Sequence, residues 1–139
     1  MRLYTIGFTK TTAENFFDRL ERAGVKRLLD VRLHRDSQLS GFARERDLPF
    51  FLGRLVSARY EVAEVLAPTP ELLSAYRSKA IDWDEYASGY KRLLVERSVE
   101  SQTVLEGLSG SCLLCSEAKP EKCHRRLAAK LLGPPRVNA

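Results

Sequence analysis

The sequence predicts an α/β protein, a single domain in which a mainly parallel sheet of about four strands is flanked by helices in a Rossmann-like, three-layer arrangement. The length of 139 residues fits one domain over 1–139, with a short polar tail at 133–139. The 44% hydrophobic and 29% charged fractions are those of a globular chain. Short β-prone runs alternate with helical patterns, which is typical of a parallel sheet covered by helices.

The first thirty residues have the pattern of a strand–helix–strand unit. A β-prone run over 2–6 is followed by Thr11 and Glu14, which have the spacing of a capping box that opens a helix. Gly24 ends the apolar periodicity of that helix, and 27–31 reads as a second strand. A unit this compact predicts that its two strands are parallel neighbours with a right-handed connection.

The rest of the chain alternates in the same way. Asp47 and Asp82 are in position to cap two of the following helices. The pattern predicts a polar loop at 32–47, a helix at 47–58, a strand at 60–66, helices at 70–80, 82–97 and 99–108, a strand at 111–115 and a final helix at 120–132.

Charge and cysteine content narrow the function classes. Lys and Arg number 23 against 18 acids, and the net charge of +5 is compatible with an anionic small molecule or a nucleic acid as partner. No apolar run approaches the roughly 18 residues that span a bilayer, and the N-terminus lacks the apolar core of a signal peptide. We therefore expect a cytosolic protein with no membrane association. Three cysteines in such a chain argue against a disulfide framework.

In open parallel sheets, ligands bind in a crevice outside the carboxyl ends of the strands. That rule selects Gly7 and Thr9 after the first strand and Asp30, Arg32 and Arg35 at the end of the second. An acid in a covered strand is costly unless it is paired or used. Asp30 is therefore either a salt-bridge partner or loop-capping group, or an acid beside phosphate-binding arginines. Neither a Gly-x-Gly-x-x-Gly nor a P-loop motif is present, which disfavours dinucleotide oxidoreductases and P-loop enzymes.

The segment from residue 112 to residue 126 has the densest chemistry. Cys115 ends a predicted strand, and Cys123 lies in the first turns of a predicted helix, where the helix N-terminus favours thiolate. His124 is a candidate acid or base, and Glu117 is a candidate for orienting it or acting itself. Arg125 and Arg126, with the same helix N-terminus, are candidates for binding an anion.

Zinc is the less favoured interpretation of this segment. Cys112 and Cys115 point to opposite faces of a strand, and adjacent residues on a helix, Cys123 and His124, converge poorly on one ion. Cys112 is then a small buried apolar residue, and burial remains an alternative for Cys115 and Cys123. The sequence implies no cofactor and assigns no metal site.

Three segments resemble one protein family. Tyr-Thr-Ile-Gly at 4–7, Leu-Leu-Asp-Val-Arg at 28–32 and Leu-Leu-Cys-Ser-Glu-x-x-Pro-x-x-Cys-His-Arg at 113–125 are similar to domain-of-unknown-function family 488, and weaker similarities span nearly the whole chain. The resemblance implies a single α/β domain, with no assigned activity. Members commonly have His-Ser after the first glycine, where this chain has Phe8-Thr9, so Thr9 offers only a hydroxyl and His34 is the candidate substitute.

These observations lead to three hypotheses. The first is an enzyme acting on a nucleotide, a nucleic acid or another phosphorylated substrate. The second is a non-catalytic nucleic-acid or phospholigand-binding module that uses the arginines of 32–46. The third is a structural Cys-His-Arg segment in which Arg125 pairs with Asp30. For the enzyme, the candidate catalytic residues are Asp30, Cys115, Glu117, Cys123 and His124, and the candidate anion-binding residues are Gly7, Thr9, Arg32, Arg35, Arg125 and Arg126.

Overall fold

A computed structural model describes residues 3–36, 41–99, 110–115, 124–131 and 136–138. Within these residues the chain forms a five-stranded sheet in which every paired strand is parallel. The strands are β1 (Leu3–Gly7), β2 (Arg27–Asp30), β3 (Arg59–Val62), β4 (Ser111–Cys115) and β5 (Arg136–Asn138). The α/β class and the parallel sheet are therefore confirmed.

The strand order is β3-β2-β4-β1-β5, so β1 and β2 are not neighbours. The prediction that the first strand–helix–strand unit forms adjacent strands is therefore wrong. The reason lies in β4, in which all five residues are buried. A strand that is buried along its whole length needs neighbours and cover on both faces, and β4 obtains them between β2 and β1. In this register, Gly7 is paired with Cys115 and Asp30 with Leu114.

The fifth strand lies in the segment 133–139, which is predicted to be a polar tail. Residues 136–138 pair with residues 3–5 and supply β1 with hydrogen-bond partners along what would otherwise be an open edge. Three residues are too few to display an alternating pattern, and for that reason the sequence did not reveal this strand.

Helices cover both faces of the sheet. The described helices are α1 (Ala13–Ala23), α2 (Leu48–Leu55), α3 (Pro70–Arg77), α4 (Trp83–Glu96) and α5 (His124–Leu131). The predicted third strand is too long: it ends at Val62, and 64–66 forms a 3-10 turn, which places Glu64 outside the strand. The predicted helix at 99–108 and the predicted start of the last helix at Pro120 lie almost wholly outside the described residues.

Two of the three predicted helix caps differ from the structure. The hydroxyl of Thr12, not that of Thr11, accepts the hydrogen bond from the backbone N–H of Asn15, at 3.1 Å, and so caps α1. The Asn15 side chain instead donates to Thr11, at 2.7 Å. Asp47 makes no side-chain cap bond to α2, whereas Asp82 forms a complete capping box on α4. A one-residue shift of a cap depends on local backbone angles that residue spacing does not determine.

The sheet separates two apolar clusters. One cluster joins α1 and α2 to the sheet through residues such as Phe16, Leu52 and Cys112. The other joins α4 and α5 to the opposite face through residues such as Tyr90 and Cys115. This is the expected three-layer arrangement. Among the described residues, no helix combines the length and apolar character that crossing a bilayer requires.

Candidate functional site

The carboxyl ends of β1 and β4 lie side by side, and the chain leaves them in opposite directions. After β1 it continues to α1 in one layer, and after β4 it reaches α5 in the other. Adjacent strands whose following helices lie on opposite faces create the crevice in which open α/β sheets bind ligands. Gly7 and Cys115, which are register partners, are the last residues of these two strands. The predicted site residues at these strand ends are therefore brought together.

Cys115 and His124 form a side-chain pair in this region. The Sγ atom of Cys115 lies 3.6 Å from Nδ1 of His124. Nε2 of the same ring lies 4.0 Å from Sγ and 2.6 Å from the backbone carbonyl oxygen of Val31. A carbonyl oxygen only accepts hydrogen bonds, so Nε2 carries a proton and donates it. Nδ1 is then the nitrogen of the neutral ring that can accept a further proton.

The Cys115–His124 pair is enclosed by protein. Cys115 is 5% exposed and His124 is 6% exposed, and the ring of Tyr90 meets the imidazole edge-on at 5.5 Å between centroids. Burial alone lowers the pKa of His124, but the contact with Cys115 and the hydrogen bond to Val31 outweigh it, so the pKa is raised. These contacts favour a proton on the ring.

Next to this pair, Asp30 and Arg32 form a buried ion pair. Asp30 is completely buried, and its carboxylate accepts hydrogen bonds from Nε of Arg32 at 2.9 Å, from Nη2 at 2.7 Å and from the Arg32 backbone N–H at 3.1 Å. Burial acts to lower the pKa of Arg32, but the bonds and charge of Asp30 outweigh it and raise that pKa. Asp30 is thus a paired acid, as the salt-bridge interpretation expected.

Tyr60 contacts the Asp30–Arg32 pair, although it is not among the predicted site residues. Its hydroxyl donates a 2.6 Å hydrogen bond to Oδ2 of Asp30. Burial and the neighbouring Asp30 charge both raise the pKa of Tyr60, so the phenol keeps its proton. The signal that could have identified it is positional, since β3 pairs with β2 and places Tyr60 beside the strand that carries Asp30.

One nitrogen of Arg32 has no partner among the described residues. Nη1 is buried and makes no hydrogen bond with any of them, although Nε and Nη2 both donate to Asp30. The guanidinium also lies over the ring of Phe8, 5.2 Å from its centroid. A buried N–H group without a partner is unfavourable, and an oxygen of a bound anion would satisfy it. Arg32 follows Val31, the residue whose carbonyl holds His124.

Arg35 and Thr9 lie at the same edge of the sheet but are not joined to this group by hydrogen bonds. Nε of Arg35 lies 3.1 Å from the carboxylate of Glu45, and Nη2 lies 3.5 Å from that of Glu64. Burial acts to lower the pKa of Arg35, and Glu45 outweighs it and raises that pKa. Thr9 lies in the turn after β1 and is partly exposed. Within the predicted anion-binding loop, the positive charge of Arg35 is therefore paired with the carboxylates of Glu45 and Glu64.

Arg125 directly follows His124, and its charge acts to lower the pKa of that histidine. It is completely buried and also interacts electrostatically with Cys112 and Arg19. Burial raises the pKa of the Cys112 thiol, and the two arginines oppose that rise. Arg125 is not the partner of Asp30, whose carboxylate is occupied by Arg32 and Tyr60, so the pairing expected for a structural segment is not formed.

The remaining predicted residues are not described. Glu117 and Cys123 lie outside the described residues, as does the side chain of Arg126. Within the described part of the chain, no group of three or more His, Cys, Asp and Glu side chains is arranged to hold a metal ion. Cys112 and Cys115 lie in the two different apolar clusters, on opposite faces of the sheet.

Comparison with known protein families gives one match. Residues 12–132 match the family described as Domain of unknown function DUF488, which covers nearly the whole chain and agrees with the resemblance of the sequence motifs. Searches of curated proteins and of solved structures found no match. The chain therefore belongs to the DUF488 family.

Proposed function

We propose that this protein is an enzyme that uses the thiol of Cys115 as a nucleophile, with His124 as its base, on a phosphorylated substrate such as a nucleotide or nucleic acid. The observation that carries the proposal is the contact of 3.6 Å between Sγ of Cys115 and Nδ1 of His124. A nucleophile beside a base, with the base oriented by a third group, is the arrangement that activates thiols for covalent catalysis.

The third group here is a backbone carbonyl. Because Val31 holds Nε2 of His124 at 2.6 Å, the ring cannot turn without losing a buried hydrogen bond, and the imidazole stays beside the thiol. The raised pKa of His124 supports the same role, since it favours transfer of the thiol proton to the ring.

The proposed step is a nucleophilic substitution. The Cys115 thiol gives its proton to Nδ1, the sulfur forms a bond to the electrophilic atom of the substrate, and the leaving group departs with the electron pair of the broken bond and takes the proton from Nδ1. Water then attacks the enzyme-bound group, gives a proton to Nδ1, and displaces the sulfur, which regains that proton as a thiol. The cycle needs only substrate and water.

Arg32 supports an anionic substrate. Its unused Nη1 is buried one residue after the carbonyl that orients His124, and phosphate oxygens are good acceptors for guanidinium N–H groups. Glu117, Cys123, Arg126, Gly7 and Thr9 remain proposed members of the site. A cytosolic location is part of the proposal, because a thiol nucleophile must stay reduced.

The first experiment measures thiolate formation by ultraviolet absorbance in a protein whose only cysteine is Cys115, made by changing Cys112 and Cys123 to alanine. At pH 7 we expect the fraction of thiolate to be about 10-fold higher in this single-cysteine protein than in the same protein carrying His124→Gln. The matched control keeps only Cys112, whose raised pKa predicts no thiolate at pH 7 with or without His124. Equal thiolate at Cys115 with and without His124 would contradict the activation.

The second experiment separates the enzyme from a binding module. Nucleoside phosphates and oligonucleotides are incubated with the wild type, and both products and any covalent adduct are followed by mass spectrometry. We expect turnover that is lost in Cys115→Ser and binding that weakens in Arg32→Met. Salt-sensitive binding by the wild type and by Cys115→Ser, without turnover in either, would favour the non-catalytic binding module instead.

A further inference from the structure

A cavity of about 320 Å³ lies between α1 and α2, in the layer opposite the cluster that contains Cys115. Its floor consists of three phenylalanine rings, Phe17, Phe42 and Phe51. The ring of Phe17 lies 5.8 Å from each of the other two, measured between centroids. At the edge of the cavity, Leu55 is 51% exposed, so apolar surface remains open to solvent there.

The rim of the cavity is acidic. Glu14, Asp18 and Glu21 line it, and their spacing of four and three residues places them on one side of α1. All three are exposed, and none forms an ion pair with a residue that the structure describes. Glu14 lies in the first turn of α1, where the helix dipole favours a negative charge, whereas Glu21 lies near the C-terminus of the helix, where the dipole disfavours it. Helix stability therefore does not account for Glu21.

The charge of the rim opposes that of the protein as a whole. The chain has a net charge of +5, yet the carboxylates around this apolar floor form no ion pair within the described chain. Arg22 of α1 donates its Nε to the backbone carbonyl of Asp18 at 3.4 Å, and Arg54 of α2 is stacked over Phe50, 5.1 Å from the ring centroid. An opening with aromatic walls and three carboxylates at its rim is complementary to a ligand that is apolar and positively charged.

We propose that this cavity binds a small organic cation, an ammonium group carried on an aromatic or branched aliphatic body. The body would cover the phenylalanine floor, while the ammonium group would meet the rim carboxylates and the electron-rich ring faces. The volume lies at the lower end of the range for small-molecule sites, which fits one ring and a short amine arm. This inference is independent of the function proposed for Cys115.

The test uses three probes of matched shape: phenethylammonium, neutral 2-phenylethanol and anionic phenylacetate. Binding to the full chain is measured by ligand-observed NMR at low salt. We expect the affinity for phenethylammonium to be at least about 5-fold higher than that for 2-phenylethanol, and the affinity for phenylacetate to be the lowest of the three. Added salt should reduce the advantage of the cation, because the rim is exposed and screened.

Two triple variants locate the effect. Both remove three exposed carboxylates, so they change net charge equally, but only one changes the rim. We expect the rim variant to bind the cation and the alcohol equally, and the control variant to keep the preference. The rim variant is Glu14→Gln, Asp18→Asn, Glu21→Gln, and the control variant is Glu71→Gln, Asp84→Asn, Glu96→Gln.

Several outcomes would overturn the proposal. Equal binding of the cation and the alcohol by the wild type would show an apolar cavity without charge selection. No binding of any of the three probes would mean that small organic cations are not the ligand. Cys115→Ser should leave cation binding unchanged, so that failure of the thiol mechanism and failure of this site are distinguished.

Discussion

Replacing Asp30 by alanine should strongly destabilise the protein. The carboxylate is completely buried and accepts hydrogen bonds at 2.6 to 3.1 Å from the backbone N–H, Nε and Nη2 of Arg32 and from the hydroxyl of Tyr60. Its removal leaves the Arg32 guanidinium, which is 2% exposed, as a buried charge without its counter-ion. That uncompensated charge, more than the loss of attraction, determines the size of the effect.

The expected loss in the free energy of unfolding is about 3–5 kcal/mol, the range found when one partner of a buried ion pair is removed. For a chain of 139 residues this corresponds to a fall in Tm of about 10–20 °C. Urea denaturation followed by circular dichroism measures it. Tyr60→Phe provides a graded comparison, because it removes one hydrogen bond to a charged acceptor and should cost about 1–2 kcal/mol.

A double-mutant cycle tests the physical reason. Arg32→Met in the Asp30→Ala background removes the uncompensated charge, so the double variant should be more stable than the sum of the single losses predicts, by about 2 kcal/mol or more. Additive losses to within about 0.5 kcal/mol would refute the reasoning, as would a loss below about 1 kcal/mol for Asp30→Ala alone.

Four further predictions concern changes at single positions. Cys115→Ala should lower the pKa of His124, because burial then acts without the opposing thiol, and NMR titration of the ring should show this; an unchanged value would contradict the assigned contact. Since the folded pKa of His124 exceeds its ordinary 6.5, the stabilisation it provides is complete below pH 6.5 and is lost as the pH rises through the folded pKa. The wild type should therefore exceed His124→Gln in free energy of unfolding by less at alkaline pH than at pH 6. A difference that grows with pH would contradict the raised pKa. Gly24→Ala should destabilise by about 1 kcal/mol because φ is +70°, whereas Gly53→Ala, in the open interior of α2, should stabilise by up to about 1 kcal/mol in the same urea assay. Tyr90→Phe should cost about 1–2 kcal/mol, because its hydroxyl donates a 2.6 Å bond to a buried carbonyl; a loss below about 0.5 kcal/mol would contradict that bond.

Local pattern predicted most of the elements. The apolar periodicity of α1 and α4 and the short apolar run Cys-Leu-Leu-Cys of β4 are visible within windows of a few residues, and these elements appear close to their expected bounds. The carboxyl-end rule then placed Gly7, Asp30 and Cys115 at one edge, which the strand register bears out. These predictions need only the period of each element and the parallel direction of the strands.

Non-local pairing accounts for what the sequence did not reveal. Whether β4 lies beside or between the first two strands depends on the burial of the whole sheet, which no local window contains. The hydrogen bond of Tyr60 to Asp30 spans thirty residues, and that of His124 to Val31 spans ninety-three. In the same way, Arg32 rather than Arg125 became the partner of Asp30, because two residues along an extended segment already suffice for a bidentate pair.

The position of β4 has a consequence for how the protein is made. The ribosome synthesises β1 and β2 early. The strand that pairs with both of them, β4, is not complete until residue 115 has been added. Until then, each early strand has an open edge in the middle of the future sheet, and such edges invite pairing with other chains. Assembly of the sheet must therefore wait for most of the chain, so its nascent form is the state most in need of chaperone protection.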